Sequence, residues 1–531
     1  MEKNTAFRII NVPVKIFYYA FGFLPLLIPV LDSFTKDQQE FTYNNHALLY
    51  ILTLLVCAFL ILSLKGIKIT LKSEIMLMSG LFFLTLAVRL FWLTLLDTVP
   101  ISDFLQAHSV AQMSGFPNVP FANLTPDQIY YKQFPSWGGW MLTLKVVYQF
   151  FGAKIWVGQV FNAIVSSATV VLIYATVKKM IYSRRPAIIA ALIFAFWPSM
   201  IIYTGVLTGE HSANFACVLS LFFLSSAQQY RDKNFKLAAL FYGLAGLSAG
   251  LLEMYKSVSA ILVVAFLIAE LFCYWLPDLV SLVKRELRFA EFFKKSATFG
   301  VVFVLSYVLF IQTFFWGLGT FVGTKIEPLT YASLYMGLDV ETNGQYSLET
   351  TMLREKMITD YQDMDRVNNE FKAMLGKRIA RDYKQYPELF KNKLEIAWAN
   401  YLPETFLFMF ASTNRGSTPE EAIYYQQFYN KVTKIVGDLS AHFYYVVMFF
   451  AAVASLAYIS RKNNYSIFYC SLYVFGFATV LLFSEVQSRY KSVTYAFLSI
   501  LAAIGLFLTY SLAEKIYKKM SQAYRTRIQK S

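Results

Sequence analysis

Charge is what this 531-residue chain has least of: Asp, Glu, Lys and Arg make up 15% of it, where a soluble domain carries about 25%. With 57% hydrophobic residues, 18% aromatic residues and a mean hydropathy of +0.46, the composition argues against a soluble enzyme. Cysteine is scarce as well. Cys57, Cys217, Cys273 and Cys470 each lie inside an apolar run, far apart in sequence, so neither a disulfide framework nor a zinc cluster is supported. Histidine occurs four times, and His211 has no second ligand at metal-site spacing. No cofactor is expected, and the ligand spacing does not support a divalent metal. The chain also lacks a fixed-period repeat and a low-complexity linker.

Apolar runs take the place of what is missing. A helix needs about 20 apolar residues to cross the hydrocarbon core. Such runs fall near 13–32, 47–64, 75–96, 155–177, 187–203, 211–228, 237–252, 258–275, 297–317, 440–459, 465–483 and 493–511. The expected fold is therefore all-α, a polytopic integral membrane protein with about twelve crossings. One crossing is interrupted at Trp197-Pro198. The first run has no small-residue cleavage site and reads as an anchor rather than a signal peptide.

Lys and Arg exceed Asp and Glu by 48 to 33, a net charge of +15, which in a soluble chain would point to nucleic acid. Here about 26 of the basic residues fall in the loops that are cytoplasmic if the N-terminus is inside, while the short outer loops carry only Lys36, Lys256, Arg489 and Lys491. The basic excess thus records threading, with both termini cytoplasmic, and gives no reason to expect a nucleic-acid partner. Two longer segments land on the outer face. Residues 97–154 combine a polar stretch with Phe134-Pro135-Ser136-Trp137-Gly138-Gly139-Trp140 and an amphipathic run, Met141 to Phe151, suited to helices in the interface plane. Residues 318–438 are polar with nearly balanced charge, and Ser347 to Leu394 has helical periodicity. The expected organisation is a hairpin at 1–74, a transmembrane core at 75–317, a helical extracytoplasmic segment at 318–438, and C-terminal transmembrane helices with a basic tail at 439–531.

Ionisable residues at membrane depth mark function or a paired interior. Arg89, Asp97, Asp103, Lys132, Glu210, His211, Glu253, Lys256, Glu485, Arg489 and Tyr490 all fall near the outer ends of the crossings. Glu270, near the inner end of its helix, is expected to reach the cytoplasmic headgroups. Cations gathered at the outer boundary suit a lipid substrate carrying phosphate, since Arg offers a planar fork of donors and Lys a compact charge for a departing phosphate. A carboxylate nearby can take the proton of an attacking hydroxyl. Asp103, after the turn Pro100-Ile101-Ser102, is the first candidate, with helix capping as the alternative. Other pairings stand beside the functional roles: Arg89 with Asp97 or Asp103, Lys256 with Glu253, and Glu485 with Arg489. Glu210 and His211 suit an acceptor or a metal. Asp363-Met364-Asp365 lies in a polar helical stretch and reads as a solvated face, and the internal Leu402-Pro403-Glu404-Thr405 is assigned no role.

These residues carry a resemblance. Arg89, Pro100 to Asp103, and Phe134-Pro135 with Trp137-Gly138-Gly139 are arranged as in the polyprenyl-phosphate-sugar-dependent glycosyltransferases of the GT-C class. The similarity is to the family 39 and family 83 group, which includes protein O-mannosyltransferase-like and aminoarabinose-transferase-like enzymes. Phe150-Phe151-Gly152, Leu207-Thr208-Gly209-Glu210-His211, Met336-Gly337-Leu338, Gly344-Gln345-Tyr346, and Glu485 with Ser488-Arg489-Tyr490 extend it over most of residues 75–510. The hairpin at 13–64 departs from the pattern and reads as an appended pair. The resemblance implies a hexosyl- or pentosyltransferase of a bacterial cytoplasmic membrane. In it Asp103 is the general base, and Lys132, Lys256, Arg489 and Arg89 are cations for the lipid phosphate. Glu210, His211, Glu485 and Tyr490 would join the substrate site. The sugar passes with inversion from a polyprenyl-phosphate donor to a cell-envelope acceptor on the outer face. Two other readings share these features: a lipid-linked sugar transporter or flippase, and an outer-face polysaccharide polymerase. Transporters place binding residues near the midplane, whereas here they gather at one boundary.

Overall fold

A computed structural model describes residues 71–95, 98–284, 298–399, 442–455 and 465–528, together with residues 289 and 440. The expected crossings at 13–32 and 47–64, Asp97, the end of the outer segment beyond residue 399 and the Leu402–Thr405 stretch lie outside the described residues. Every regular element among the described residues is helical. The elements are α1 (Leu71–Leu95), α2 (Ser102–Val110), α3 (Pro126–Gln133), α4 (Pro135–Phe151), α5 (Ile155–Ile181), α6 (Arg184–Ala195), α7 (Pro198–Ile202), α8 (Glu210–Tyr230), α9 (Phe235–Glu253) and α10 (Ser259–Glu270). A π turn at Leu271–Trp275 joins α10 to α11 (Leu276–Val283). Then come α12 (Thr298–Val322), α13 (Thr330–Gly337), α14 (Leu348–Tyr361), α15 (Met364–Asp382), α16 (Tyr386–Leu394), α17 (His442–Ser455), α18 (Tyr465–Phe483) and α19 (Tyr495–Ile528).

Among the described residues seven helices are long and apolar enough to cross a membrane, or eight if the bent pair α6 and α7 counts as one span. The chain is thus a multi-pass membrane protein by the length and composition of its helices. Two expected crossings fall short of that criterion for different reasons. Helix α17 is apolar but short. Helix α8 opens on Glu210, His211, Ser212 and Asn214, which lower its hydropathy. These polar residues are buried along with Ala213, Ala216, Cys217, Leu221 and Leu224, so α8 is a central rod. Around it pack α5, α9, α18 and α19.

Small residues set the helix spacing, as they do where lipid offers no hydrophobic drive between helices. On α9 a Cβ at Gly246 would lie 2.2 Å from the Phe303 carbonyl oxygen of α12. On α4 a Cβ at Gly139 would lie 2.1 Å from the Met254 carbonyl oxygen. Since Met254 begins the turn between α9 and α10 that carries Lys256, Gly139→Ala must push that turn off α4. The expected cost is about 1–3 kcal/mol, measured as a lowered unfolding midpoint in detergent.

The break between α6 and α7 bends the pair by 53°. Pro198 has no N–H to offer the Phe194 carbonyl one turn back. Arg89, fully buried, fills the gap: Nη1 donates to the Ala195 carbonyl at 2.9 Å, Nη2 to that of Phe194 at 3.5 Å, and Nε to Ser166 Oγ at 2.7 Å. A cation at a helix C-terminus is also favoured by the helix dipole.

Glu270 departs from the expectation of reaching the headgroups. It is fully buried and pairs with Arg231 at 2.8 Å, with Tyr242 donating to it at 3.0 Å. A carboxylate with so close a partner has no reason to extend toward water. At the same end of the bundle Glu74 of α1 gathers Lys178, Arg184 and Tyr174.

The stretch from Ser347 to Leu394 is helical, as its periodicity suggested, in three pieces, α14, α15 and α16. Ser347 caps α14 by accepting from Thr350 N at 3.2 Å, and Gln362, at φ +52°, ends it. Asp363 caps α15 by accepting from Arg366 N at 3.1 Å, which accounts for the first carboxylate of Asp363-Met364-Asp365.

Candidate functional site

Asp103 lies within the first turn of α2, whose N-cap position is Ile101, with no side-chain cap. Capping therefore does not explain the carboxylate. The residue before it, Ser102, has φ +49°, a left-handed conformation that costs a non-glycine residue energy and that persists where surrounding structure imposes it. Half-buried Asp103 stands close to the Tyr130 phenol of α3, near enough for its charge to act on it. A capping box between Thr125 and Gln128 starts α3, and Gln128 Nε2 anchors it by donating to the Val322 carbonyl at 2.8 Å. Burial, then the nearby Asp103 charge, hold the Tyr130 phenol well above its ordinary pKa, so it stays a donor. Tyr131, also raised by burial, leaves its hydroxyl buried without a hydrogen-bond partner close to the same carboxylate.

A residue that sequence reasoning passed over joins this group. Arg354 of α14 stands over the Phe134 ring at 5.1 Å and within electrostatic range of Tyr130, Tyr346 and Glu485. Burial lowers its pKa, and its Nε is buried with no hydrogen-bond partner. Nothing in the pattern of the polar stretch marked this arginine, because only the docking of α14 turns it inward.

From Arg354 the polar surface continues to the segment between α18 and α19. Glu485 lies ahead of the 3-10 turns at Ser488–Thr494, not on a helix, so the helical i,i+4 pairing with Arg489 is not its geometry. Instead Tyr490 donates to Glu485 at 3.0 Å and Gln487 at 2.6 Å. Lys256 sits 5.9 Å from the Tyr490 ring centre and Arg489 5.8 Å. Lys256 pairs with Glu210 at 2.7 Å. Glu253 is not that lysine's partner; it accepts from Ser259 at 2.6 Å. Asp103, Arg354, Glu485, Arg489, Tyr490, Lys256 and Glu210 thus form one run of neighbours at one end of the bundle.

Two expected cations stand apart from it. Lys132 is buried and spends its ammonium on Glu327 at 2.8 Å, the Lys325 carbonyl at 2.7 Å and Thr324 at 3.4 Å. Arg89 closes the α6–α7 break, as described above. His211 is fully buried beside Arg89 and the Tyr203 backbone.

The wall that carries Glu485 is fixed by another lysine absent from the sequence reading. Lys393 of α16 is buried, donating to the Gly337 carbonyl at 2.5 Å and that of Ser484 at 2.7 Å. Burial lowers its pKa to about 7, with Glu485 opposing the shift. Gly344, at φ +68°, brings its carbonyl to Val486 N at 2.9 Å, where a Cβ would stand 2.7 Å from the Lys393 ammonium.

Residues 135–315, about a third of the chain, match the family described as dolichyl-phosphate-mannose-protein mannosyltransferase. The match bears out the resemblance to the GT-C class of glycosyltransferases. Among solved structures the chain is similar to the oligosaccharyltransferase AglB of Archaeoglobus fulgidus in complex with an inhibitory peptide and a dolichol-phosphate. The identity is 14% over 84% of this chain and 52% of that one, with a TM-score of 0.43. The same oligosaccharyltransferase with zinc and sulfate gives 12% identity over 81% and 49%, and a TM-score of 0.45. ArnT of Cupriavidus metallidurans bound to undecaprenyl phosphate gives 13% over 82% and 78%, and 0.35. The chain spans about half the length of the oligosaccharyltransferase it matches. No curated protein matches it.

Proposed function

We propose that this protein transfers a sugar from a polyprenyl-phosphate donor to a hydroxyl-bearing acceptor on the outer face of a bacterial cytoplasmic membrane. The observation that carries the reading is Asp103, beside Tyr130 at the head of a run of cations that reaches Lys256 in the turn between two membrane-crossing helices. Asp103 takes the proton of the acceptor hydroxyl as its oxygen attacks the anomeric carbon. The bond from that carbon to the phosphate oxygen breaks, and polyprenyl phosphate leaves with the electron pair, inverting the centre. Negative charge grows on the leaving phosphate, and fixed cations facing it stabilise that charge in the transition state.

Lys256, oriented by Glu210, and Arg354 are best placed for the phosphate, with Arg489 beside them. Glu485 and Tyr490 set the spacing of these cations. Lys132, Arg89 and His211 support the scaffold around them. The family match over residues 135–315 supports the lipid-linked donor. The charge asymmetry of the loops supports cytoplasmic termini and an outer site.

Mass analysis of envelope glycans from cells with and without the protein tests the activity: a single sugar should vanish from an envelope component when the gene is deleted. Loss of a whole repeating polymer would instead favour a polymerase, and an unchanged glycan profile would sink the transferase reading. Lys256→Gln and Arg354→Gln should each raise the donor concentration needed for half-maximal transfer by about tenfold, the loss of one charge-assisted hydrogen bond. Lys132→Gln should leave that concentration near wild type while lowering stability. Equal effects on the donor from all three would mean that Lys132 also reaches the phosphate.

A further inference from the structure

Helix α8 and the segment before α19 carry two arms of the polar run, and one buried amide ties them together. Asn214 lies on α8 one turn after Glu210 and is fully buried. Its Nδ2 donates to the Glu210 carbonyl and to the Ser492 carbonyl, each at 2.9 Å, and its Oδ1 accepts from Ala496 N at 3.1 Å. Ser492 and Ala496 stand at the spacing that an uninterrupted α-helix joins directly, N–H to the carbonyl one turn back. The α-helical run of α19 begins only at Tyr495, after the 3-10 turns at Ser488–Thr494. The Asn214 amide lies across that junction, a side chain inserted into the ladder of backbone bonds. An amide suits the place because the Ser492 carbonyl needs a donor and the Ala496 N–H an acceptor, and one planar group supplies both.

The two arms meet over one ring. On the α8 arm Glu210 holds Lys256 at 2.7 Å, and the Lys256 ammonium lies 5.9 Å from the centre of the Tyr490 ring. On the other arm Arg489 and Tyr490 belong to the 3-10 turns that contain Ser492, with the guanidinium 5.8 Å from the same ring centre. The far side of those turns rests on α17, where the Lys491 ammonium stands 4.8 Å over the Tyr444 ring. That contact supports the segment, while the directed bonds of Asn214 set its register along α8.

We propose that Asn214 is a positioning residue of the donor site: by seating the Ser488–Thr494 turns on α8 it sets the separation of Lys256 and Arg489, and so the affinity for the lipid phosphate. The inference rests on the reading of these two cations as phosphate ligands. The three bonds of Asn214 all go to backbone, so it acts through the cations and not on the substrate.

The purified full chain is titrated with undecaprenyl phosphate, and an unfolding midpoint and amide hydrogen exchange are recorded for each variant. Asn214→Leu, close in volume but unable to give or take a hydrogen bond, should raise the Kd about tenfold, the worth of one charge-assisted hydrogen bond to phosphate. Exchange should quicken in peptides covering residues 488–496. In transfer assays the loss should fall on the donor KM more than on kcat, whereas a smaller folded fraction lowers kcat at unchanged KM. Because Asn214 acts through Lys256, the same substitution in a Lys256→Gln background should cost about threefold or less, where independent sites would multiply. If Asn214→Leu does not fold, Asn214→Asp replaces it with the same expected outcome, since a carboxylate keeps the size and the bond from Ala496 but gives up both donations. An unchanged Kd, unchanged exchange, or losses that multiply in the double variant overturns the inference. A wild type that binds no undecaprenyl phosphate overturns it together with the donor reading, and the wild-type titration alone tells that result from the others.

Discussion

Asp103→Asn should abolish sugar transfer while leaving the protein folded and inserted. Asparagine keeps the shape of the side chain and an oxygen beside the Tyr130 phenol, so the turn at Ser102 and the packing of α2 on α4 have no cause to change. What is lost is the capacity to take a proton, and general-base catalysis of this kind is worth about 10²–10⁴ in rate. Tyr130→Phe makes the complementary change: the carboxylate remains but loses the polar phenol beside it, so the loss should be smaller and should leave measurable transfer. The check is turnover of labelled polyprenyl-phosphate sugar by purified variants, with an unfolding midpoint for each. Transfer by Asp103→Asn within tenfold of wild type would remove Asp103 from the base role. Loss of transfer with wild-type movement of the lipid-linked sugar across a vesicle membrane would show that chemistry and transport are separate.

The spans and their boundaries were largely legible in the sequence because they rest on a local property. Twenty apolar residues make a crossing whatever their neighbours do, and α1, α5, α9, α12 and α18 begin and end within a few residues of the runs that announce them. The polar residues at one end of these runs also pointed to the group that the fold brings together, among them Lys256, Glu210, Glu485 and Tyr490.

What could not be read was partnership. Arg89 and Lys132 look, in sequence, like other boundary cations, yet one closes a proline break and the other holds Glu327. Arg354 and Lys393 sit in a stretch whose periodicity suggested only a helical segment, and they turn inward because α14 brings Arg354 over Phe134 while α16 packs on α18 and sets Lys393 on the Ser484 carbonyl. Glu270 was misread for the same reason. Its distance from a helix end allows an extended carboxylate to reach headgroups, and only the approach of Arg231 from another helix makes burial the lower-energy choice.

That buried pair should give the largest stability effect in the molecule. Glu270→Gln leaves Arg231 as a cation deep in the bundle, 4% exposed at its side chain, with tyrosine and glutamine dipoles in place of a carboxylate. Breaking one member of a buried ion pair costs about 3–5 kcal/mol, because the remaining charge is uncompensated. The double substitution Arg231→Leu with Glu270→Leu removes both charges and should cost markedly less than Glu270→Gln alone, a comparison that denaturant unfolding in detergent can read directly. If the double variant is the less stable one, the network is held by its hydrogen bonds rather than by charge compensation. The pair also bears on the site at a distance. Arg231 follows the end of α8, Tyr242 lies on α9 and Glu270 closes α10. Glu210 begins α8, and Lys256 lies in the turn from α9 to α10, about 30 Å away along the 21 residues of α8. Three rods fastened at one end hold the Lys256–Glu210 contact at the other. Glu270→Gln should therefore weaken use of the donor as well as stability, and the Leu–Leu double variant should restore part of both.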